Sequence, residues 1–397
     1  MKFIFLTVLA CTLFTGCSNS SKKAASDSSE TAAAVSEPTS VPTLDLRQTS
    51  YPKSDETYEE TVKFIPLETR DDVLVAQRRR IVYFSDNKIV MAADNGGIFV
   101  FDGQGKILSH FNHQGQGPEE YLYLNMNVYG TVTIYDEVTR EIFVMEQIGR
   151  CQVYSEDGKY LRTFHFPKSK QYREAYSFDR ESLLALDKNI DTDSAYVLIS
   201  KKDGSVLSCI DIPLQKRRAD VRKVPLGKWG VTSSRIYTQH LHKEGNDFIL
   251  SELSSDTIYR FTSDKRLIPI LALTPSKQES ETPIVFQVFK TTEKCVIGWK
   301  YVFDFDTNGI KATPVIYDLE KRQAFGGDNG KGVESFICGI TTSMRHNALP
   351  ANLYILNEFP DRILDWIEKG MLEGKIKEVA EKLDPDDNPV IQVIKVK

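Results

Sequence analysis

The sequence is short of the residues on which most chemistry depends. It holds six histidines and six cysteines in 397 residues, and no two cysteines stand as Cys-x-x-Cys. A zinc centre of the usual spacing is therefore excluded. No Gly-x-Ser-x-Gly elbow is present to raise a nucleophilic serine over a sheet. No basic stripe exists either: 50 Lys and Arg stand against 55 Asp and Glu, for a formal net charge of −5. Without such a footprint, no nucleic-acid partner is expected. Arg78-Arg79-Arg80 and Arg217-Arg218 are local clusters and read as solvated strand ends and loops. After the first fourteen residues, no run is long and apolar enough to span a bilayer.

Those first residues set the expected compartment. Lys2 is followed by a nearly continuous apolar run, Phe3 to Phe14, which suits the core of a signal peptide. The run ends in Leu13-Phe14-Thr15-Gly16-Cys17, which resembles a bacterial lipobox. That resemblance implies cleavage after residue 16 and a lipid on Cys17, anchoring the chain to a membrane. Ser18 to Pro42 is rich in Ser, Ala, Thr, Lys and Glu and cannot bury enough surface to offset its ordering entropy. Residues 17–55 are accordingly expected to be a flexible tether, and 56–397 the folded domain. Lys22 and Lys23 stand close to Cys17, and the first acid is Asp27. In the lipoproteins implied by the resemblance below, an acidic cluster marks surface export. A periplasm-facing outer-membrane lipoprotein is therefore expected.

From Val62 onward one hairpin recurs. Gly97–Asp102 and Lys106–Phe111 flank the turn Asp102-Gly103-Gln104-Gly105, whose residues tolerate positive φ. Similar hairpins lie around Gly158, Gly204, Asp264 and Glu320, about 45 to 60 residues apart, near the period of propeller blades. A single blade cannot cover both of its faces, and stacking blades around an axis does so. Five hairpins and one further blade make six. Val62–Leu67 and Val390–Val396 are the strands expected to build that last blade from the two ends of the chain. Between Asp361 and Leu383 the apolar spacing changes to three and four, which predicts an amphipathic helix interrupted by Gly370 and Gly374. Asp384 to Pro389 stops it. The expected fold is all-β: a six-bladed β-propeller with a short C-terminal helical insertion before the closing strand. Cys151, Cys209, Cys295 and Cys338 are expected as buried strand residues.

Three segments carry a family resemblance. Gly115-Gln116-Gly117-Pro118-Glu119-Glu120-Tyr121 resembles the Gly-x-Gly-Pro-Gly-Glu-Tyr loop of six-bladed β-propeller lipoproteins of Gram-negative gut bacteria. Phe64 to Thr69 resembles that family's opening strand, and Asp387 to Val390 its closing segment. The resemblance covers about residues 60–397 and implies the propeller fold. It implies little about activity, because the family is mostly uncharacterised.

The chemistry within this frame is sparse. The Gly115-to-Tyr121 loop lacks the Lys-Ser/Thr ending of a phosphate cradle and is expected as an inter-blade crossover. Gly115 and Gly117 would permit its turn, Pro118 stiffen it, Tyr121 pack it, and Glu120 completes the motif. His110 and His113 flank a strand end, and His240 and His242 share a strand face without a visible third ligand. Glu68, Asp94 and Asp136 are suited in kind to hold a divalent ion in the axial channel, as some propeller enzymes do. No cofactor and no metal site is expected. The expected function is a non-catalytic module binding a small-molecule or protein ligand. The alternatives are a channel-metal hydrolase or lactonase, and a structural subunit of an envelope nutrient-uptake complex.

Overall fold

The computed structural model describes residues 40–52, 59–124, 132–146, 149–192, 194–217, 221–225, 231–235, 240–277, 284–304, 309–326, 353–370 and 374–396. The residues from Val41 onward form one compact unit. Cys17 and Cys338 lie outside the described residues.

The chain folds into a six-bladed β-propeller. Blade 1 is built from Arg79–Phe84, Lys88–Ala93, Gly97–Asp102 and Ile107–Asn112. Blade 2 uses Val132–Asp136, Glu141–Met145, Arg150–Ser155 and Tyr160–His165. Blade 3 uses Tyr172–Ser177, Ser182–Asp187, Tyr196–Ser200 and Val206–Ile210. Blade 4 uses Leu241–Glu244, Asp247–Leu250, Thr257–Phe261 and Leu267–Thr274, and blade 5 Ile284–Thr291, Cys295–Asp304, Gly309–Asp318 and Gln323–Phe325. Each is an antiparallel meander in chain order. The first strands of neighbouring blades lie against one another, so they are the innermost. A separate hairpin, Val221–Pro225 with Val231–Arg235, stands in the connection between blades 3 and 4.

The recurring hairpin is the turn between the third and fourth strands of each of these blades. Its left-handed residue is Gly105, Gly158, Gly204, Lys265 or Arg322, at φ of 86°, 86°, 75°, 64° and 52°. At blades 4 and 5 the equivalent residue is thus Lys265 rather than Asp264, and Arg322 rather than Glu320. Glycine is required at blade 2 for a second reason: a Cβ on Gly158 would lie 2.6 Å from the Phe111 ring of blade 1. The turns of blades 2 and 3 nest under the outer strand of the blade before each, at Phe111 and at Phe164.

Apolar cores lie between blades, because the inner strands of blades 1 to 5 are buried on both faces over most of their described residues. One cluster joins blades 1 and 2 through Val90, Val100, Tyr121, Ile142 and Tyr154, and similar clusters join 2 to 3, 3 to 4 and 4 to 5. The last cluster unites Phe289 and Ile297 of blade 5, Ile391 and Val393 of blade 6, and Ile81 and Met91 of blade 1.

Blade 6 closes the ring with strands from both ends of the chain. Glu59–Pro66 pairs antiparallel with Val390–Val396, placing Ile65 opposite Ile391, and Leu353–Glu358 pairs on the other side. The helical insertion comprises α1, Pro360–Glu368, and α2, Lys375–Ala380, with Gly370 at φ 67° between them. Ile363, Ile376 and Ala380 pack with Val390 against the closing blade. No helix among the described residues is long and apolar enough to cross a membrane.

Two expectations are corrected. The end of the expected 17–55 tether belongs to the ring: Thr43–Asp45 adds a fifth strand, parallel to Leu267–Thr274 of blade 4. Leu44 and Leu46 are 1% exposed, and they supply the large apolar side chains that residues 18–42 lack. Cys209 is exposed, whereas Cys151 and Cys295 are buried. Cys209 lies on an outermost strand, which has no further blade to cover it.

Asn388 fastens the closure. It is 2% exposed. Its Nδ2 donates to the carbonyls of Glu68 (2.8 Å) and Val73 (2.7 Å), its Oδ1 accepts from Val75 N (2.9 Å), and its own N–H donates to Thr69 Oγ1 (2.8 Å). Removing the amide would strand buried backbone groups, each costing about 1–3 kcal/mol. Asn388→Ala is expected to lower the unfolding free energy measured in urea by that order, and deletion of residues 390–397 to abolish cooperative unfolding. A truncated protein melting at the parent temperature would show that the ring does not close this way.

Candidate functional site

Antiparallel strands sort the turns of a propeller onto two faces. The first-to-second and third-to-fourth turns share one face, and the second-to-third turns and the connections between blades share the other. The Gly115–Tyr121 loop belongs to the connection face, in the crossover from blade 1 to blade 2. Tyr121 is buried, and its hydroxyl donates to Gly96 O (2.6 Å) and accepts from His113 N (3.0 Å). Glu120 accepts from Gly117 N (2.7 Å), and a Cβ on Gly115 would collide with the Glu120 carboxylate. Blade 2 holds the loop from the other side. Gln152 Nε2 donates to Pro118 O (3.1 Å) and Glu120 O (3.0 Å), Arg150 Nη2 to Glu120 O (2.9 Å), and Tyr154 OH to Glu119 O (2.6 Å). The carbonyls of Pro118, Glu119 and Glu120, the Glu120 carboxylate and the Tyr121 hydroxyl are all bonded within the chain, so the loop is a joint between two blades, with the Gln116 and Glu119 side chains exposed. Glu119, where the resembled family has glycine, has no positive φ.

His113 and His240 are held at joints as well. His113 Nε2 lies 2.7 Å from Gly158 O, and its ring stacks on Tyr154. His240 Nδ1 lies 3.1 Å from Ser251 O, while the backbone N–H groups of His240 and Leu241 donate to the buried carboxylate of Glu174 (2.9 and 2.7 Å). His110 stacks loosely on Phe99, and His242 is buried within blade 4.

The three acids suited in kind to an axial ion are not brought together. Glu68 accepts from Ile107 N (2.8 Å) and so ties the closing strand to blade 1. Asp94 is exposed on the turn after the second strand of blade 1. Asp136 is 2% exposed and bonded to Lys201 Nζ (2.7 Å) of blade 3 and to Thr139 Oγ1 (2.7 Å). Burial pushes the Asp136 carboxyl up, but these hydrogen bonds and the Lys201 charge outweigh it and hold the group below the usual range. Among the described residues, no group of three His, Cys, Asp or Glu side chains is placed to hold a metal ion.

Where the connections of blades 3, 4 and 5 meet, charged side chains that sequence reasoning missed converge. Arg217, 8% exposed, donates to Asn189 O (2.6 Å), Thr192 Oγ1 (3.0 Å) and Asp187 O (2.8 Å). Its Nε lies 3.7 Å from Glu252 Oε1 of blade 4. The fully buried Asp187 pairs with Lys170 (3.0 Å). Both carboxylate oxygens of Asp256 are taken by the chain after blade 4: one accepts from Ser276 Oγ, the other from Lys277 N. Arg217 was expected in a solvated loop. It is buried because the carbonyls of the 187–192 turn need a donor and its guanidinium supplies a fan of them. Arg79 is likewise drawn in, onto Asn357 O (2.9 Å) and the face of Phe359, and burial lowers its pKa to about 10. Arg78 is exposed, as expected.

The geometry can be set beside known proteins. A family described as "Domain of unknown function (DUF4934)" matches residues 42–395. The chain belongs to that family. The matched span begins with the strand that packs on blade 4 and ends in the closing strand, so the DUF4934 domain is the whole ring. Among solved structures, a protein of Bacteroides fragilis assigned as exported aligns at TM-score 0.59 and 14% identity, covering 89% of this chain and all of that one. It shares the fold. BamB of Moraxella catarrhalis aligns at TM-score 0.37 and 9% identity, over 68% of this chain and 79% of its own. Virginiamycin B lyase of Staphylococcus aureus aligns at 0.38 and 7%, over 84% and 99%. Neither score is high enough to carry an argument. No curated protein matches the sequence.

Loss of the Arg217 guanidinium removes three hydrogen bonds at a blade joint, and hydrogen bonds from charged donors contribute about 1.5–3 kcal/mol each. Arg217→Met is therefore expected to lower the unfolding free energy measurably in urea. Arg78→Ala, on an exposed side chain, should stay within about 0.5 kcal/mol of the parent. Equal effects of the two substitutions would contradict the joint.

Proposed function

We propose that this DUF4934 domain is a non-catalytic binding module, held in the cell envelope by a lipid on Cys17 and facing the periplasm. The observation that carries the binding reading is the convergence at blades 3 to 5. Two inter-blade connections and the second-to-third turn of blade 4 bring Arg217, Glu252, Asp256 and Lys277 together on one face of the ring. Ligand sites are concave places where a few polar groups meet on a preformed scaffold. With Glu68 and Asp136 held in separate joints and Asp94 exposed on a turn, the three acids that suggested a channel-metal hydrolase do not support one. The exported Bacteroides fragilis protein of the same fold supports the envelope location. Fold alone does not give function, so the reading rests on the site.

Two measurements test the parts separately. A ligand at a hundredfold excess over its Kd stabilises a protein by about 2.7 kcal/mol. A panel of oligosaccharides, peptides and small metabolites is expected to include a class that raises the melting temperature of the purified ring. A stoichiometric, tightly held divalent ion together with hydrolytic turnover would contradict it. For the anchor, Cys17→Ser is expected to leave the melting temperature unchanged and to move the protein from the membrane to the soluble fraction, since each buried acyl methylene contributes about 0.8 kcal/mol. Retention of the variant in the membrane would overturn the lipid anchor.

A further inference from the structure

The outer strands of the blades are not protected alike. An edge strand offers unpaired backbone groups to any other chain, and folded proteins blunt such edges with charge, proline, shortness or a covering segment. Blade 6 ends in Glu59–Pro66, which carries Glu59, Glu60, Lys63 and Pro66. Blade 5 ends in the three-residue strand Gln323–Phe325, and the next residue, Gly326, donates its N–H to Pro52 O (3.1 Å) of the N-terminal segment. The outer strand of blade 4 contains Pro269 and is covered by Thr43–Asp45. Blades 1, 2 and 3 end in Ile107–Asn112, Tyr160–His165 and Val206–Ile210, without Lys, Asp, Glu or Pro. Arg162 on the second of these is turned back onto Glu141 of its own blade (2.7 and 2.8 Å). Among the described residues no strand lies beyond these three edges.

The covered edge of blade 4 shows what fits the open ones. The outer strands of blades 1 to 4 each contain a β-bulge, whose extra residue is Leu108, Leu161, Leu207 or Ile270. Three residues further on, each buries an apolar side chain: Phe111, Phe164, Ile210 or Leu273. In blade 4 the added strand pairs just past the bulge, with Leu44 opposite Leu273. Leu273 N–H donates back into the blade, to Asp256 O (2.7 Å). Ala272 N–H donates outward to Pro42 O (2.8 Å), and Thr274 O accepts from Leu46 N–H (2.7 Å). Blade 2 has the same alternation: Phe166 N–H donates back to Gly149 O (2.8 Å), which leaves the backbone groups of Thr163 and His165 facing outward. With a strand in place, Ile270 packs in the cluster that holds Leu44 and Leu46. Without one, Leu108, Leu161 and Leu207 are 54%, 40% and 54% exposed. A bulge re-aims a side chain, and here three leucines are aimed at solvent beside three open edges.

We infer that the outer edges of blades 1, 2 and 3 are strand-addition sites for an extended, aliphatic segment of a partner protein. The segment runs parallel to the outer strand, as Thr43–Asp45 does on blade 4, with its central residue opposite Phe111, Phe164 or Ile210. Main-chain hydrogen bonds supply affinity, and aliphatic side chains at alternate positions cover the bulge leucine and supply specificity. The inference goes beyond the binding reading at blades 3 to 5 and uses a different surface.

The test uses the full folded chain and a fluorescein-labelled peptide of residues 41–48, the segment that fits the edge of blade 4. Blade 4 already holds that segment, so binding to the parent reports the open edges. Saturable binding is expected, and a peptide carrying Leu44→Asp and Leu46→Asp should bind about tenfold or more weakly. Leu108→Lys, Leu161→Lys and Leu207→Lys together should weaken binding of the unmodified peptide by a similar factor and leave the melting temperature unchanged, because the replaced side chains are exposed. If the triple variant does not fold, the three single variants should each lose part of the binding. Photo-crosslinking should place the peptide on residues 107–112, 160–165 and 206–210. No saturable binding, or equal binding by the lysine variants, would overturn the inference. Crosslinks confined to Leu267–Thr274 would also overturn it, because the peptide would then have displaced the resident strand. Self-association of the parent that the lysine variants lose would overturn the partner reading and show that a second copy fills the edges. The small-molecule panel reports on the convergence at blades 3 to 5 and fails or succeeds independently of these outcomes.

Discussion

Everything in this structure depends on the ring being closed. A blade buries both faces of its inner strands, so it is stable only with a neighbour on each side, and the first and last blades have no neighbour unless they meet. The chain meets this by pairing Glu59–Pro66 with Val390–Val396. The Asn388 side chain then draws the carbonyls of Glu68 and Val73 and the N–H of Val75 onto one amide. The cluster on this joint, from Phe289 of blade 5 through Ile391 to Ile81 of blade 1, is continuous across both chain ends. Opening it would expose three blades at once, together with the edge of an inner strand. The helices α1 and α2 cover the closing blade, with Ile363 and Ile376 seated against Val390.

The second feature is the use of buried charge at the joints between blades. Lys201 of blade 3 reaches Asp136 of blade 2, Lys88 of blade 1 reaches Glu156 of blade 2, and Glu174 of blade 3 receives the backbone of blade 4. Glu244 of blade 4 accepts from Thr291 of blade 5. Burial pushes the Glu244 carboxyl up, against the pull of Lys290 and Thr291. A buried ion pair contributes little net stability over an apolar pair of equal shape, yet losing one partner costs about 3–5 kcal/mol. Blades slipped by one strand would strand these charges, whereas apolar contacts alone would tolerate the slip. Glu68 and Asp136 are therefore spent on assembly while Asp94 stands exposed, which is why these three acids are not brought together.

Much of the fold was legible in the sequence. The Asp-Gly and Gly-x-Gly turns marked the outer hairpins because only some residues adopt positive φ readily, and Gly105, Gly158 and Gly204 do so. At Lys265 and Arg322 side-chain-bearing residues occupy the same conformation, and the sequence carried no comparable signal there. The closing strands and the helical insertion were visible through alternation and through a change of period. Thr43–Asp45 was hidden because a three-residue strand has no period to detect, and its two buried leucines follow a long polar segment. The site was less legible than the fold. Arg217 and Lys277 stand in connections of irregular sequence, and their surroundings come from turns 25 and 21 or more residues away. The Gly115–Tyr121 motif was conspicuous in sequence and proved to be occupied with holding blades 1 and 2 together.

The central claim is that closure of blade 6 holds the ring as one cooperative body. Native-state hydrogen exchange tests it most directly. The amides of Ile65, Val75, Ile391 and Val393 are expected to exchange only through global unfolding, with the same free energy and denaturant dependence as Val90 and Val144 in the core between blades 1 and 2. Exchange of the blade 6 amides through a smaller, denaturant-independent opening would contradict the account, because the ring would then be stable with its closing blade open.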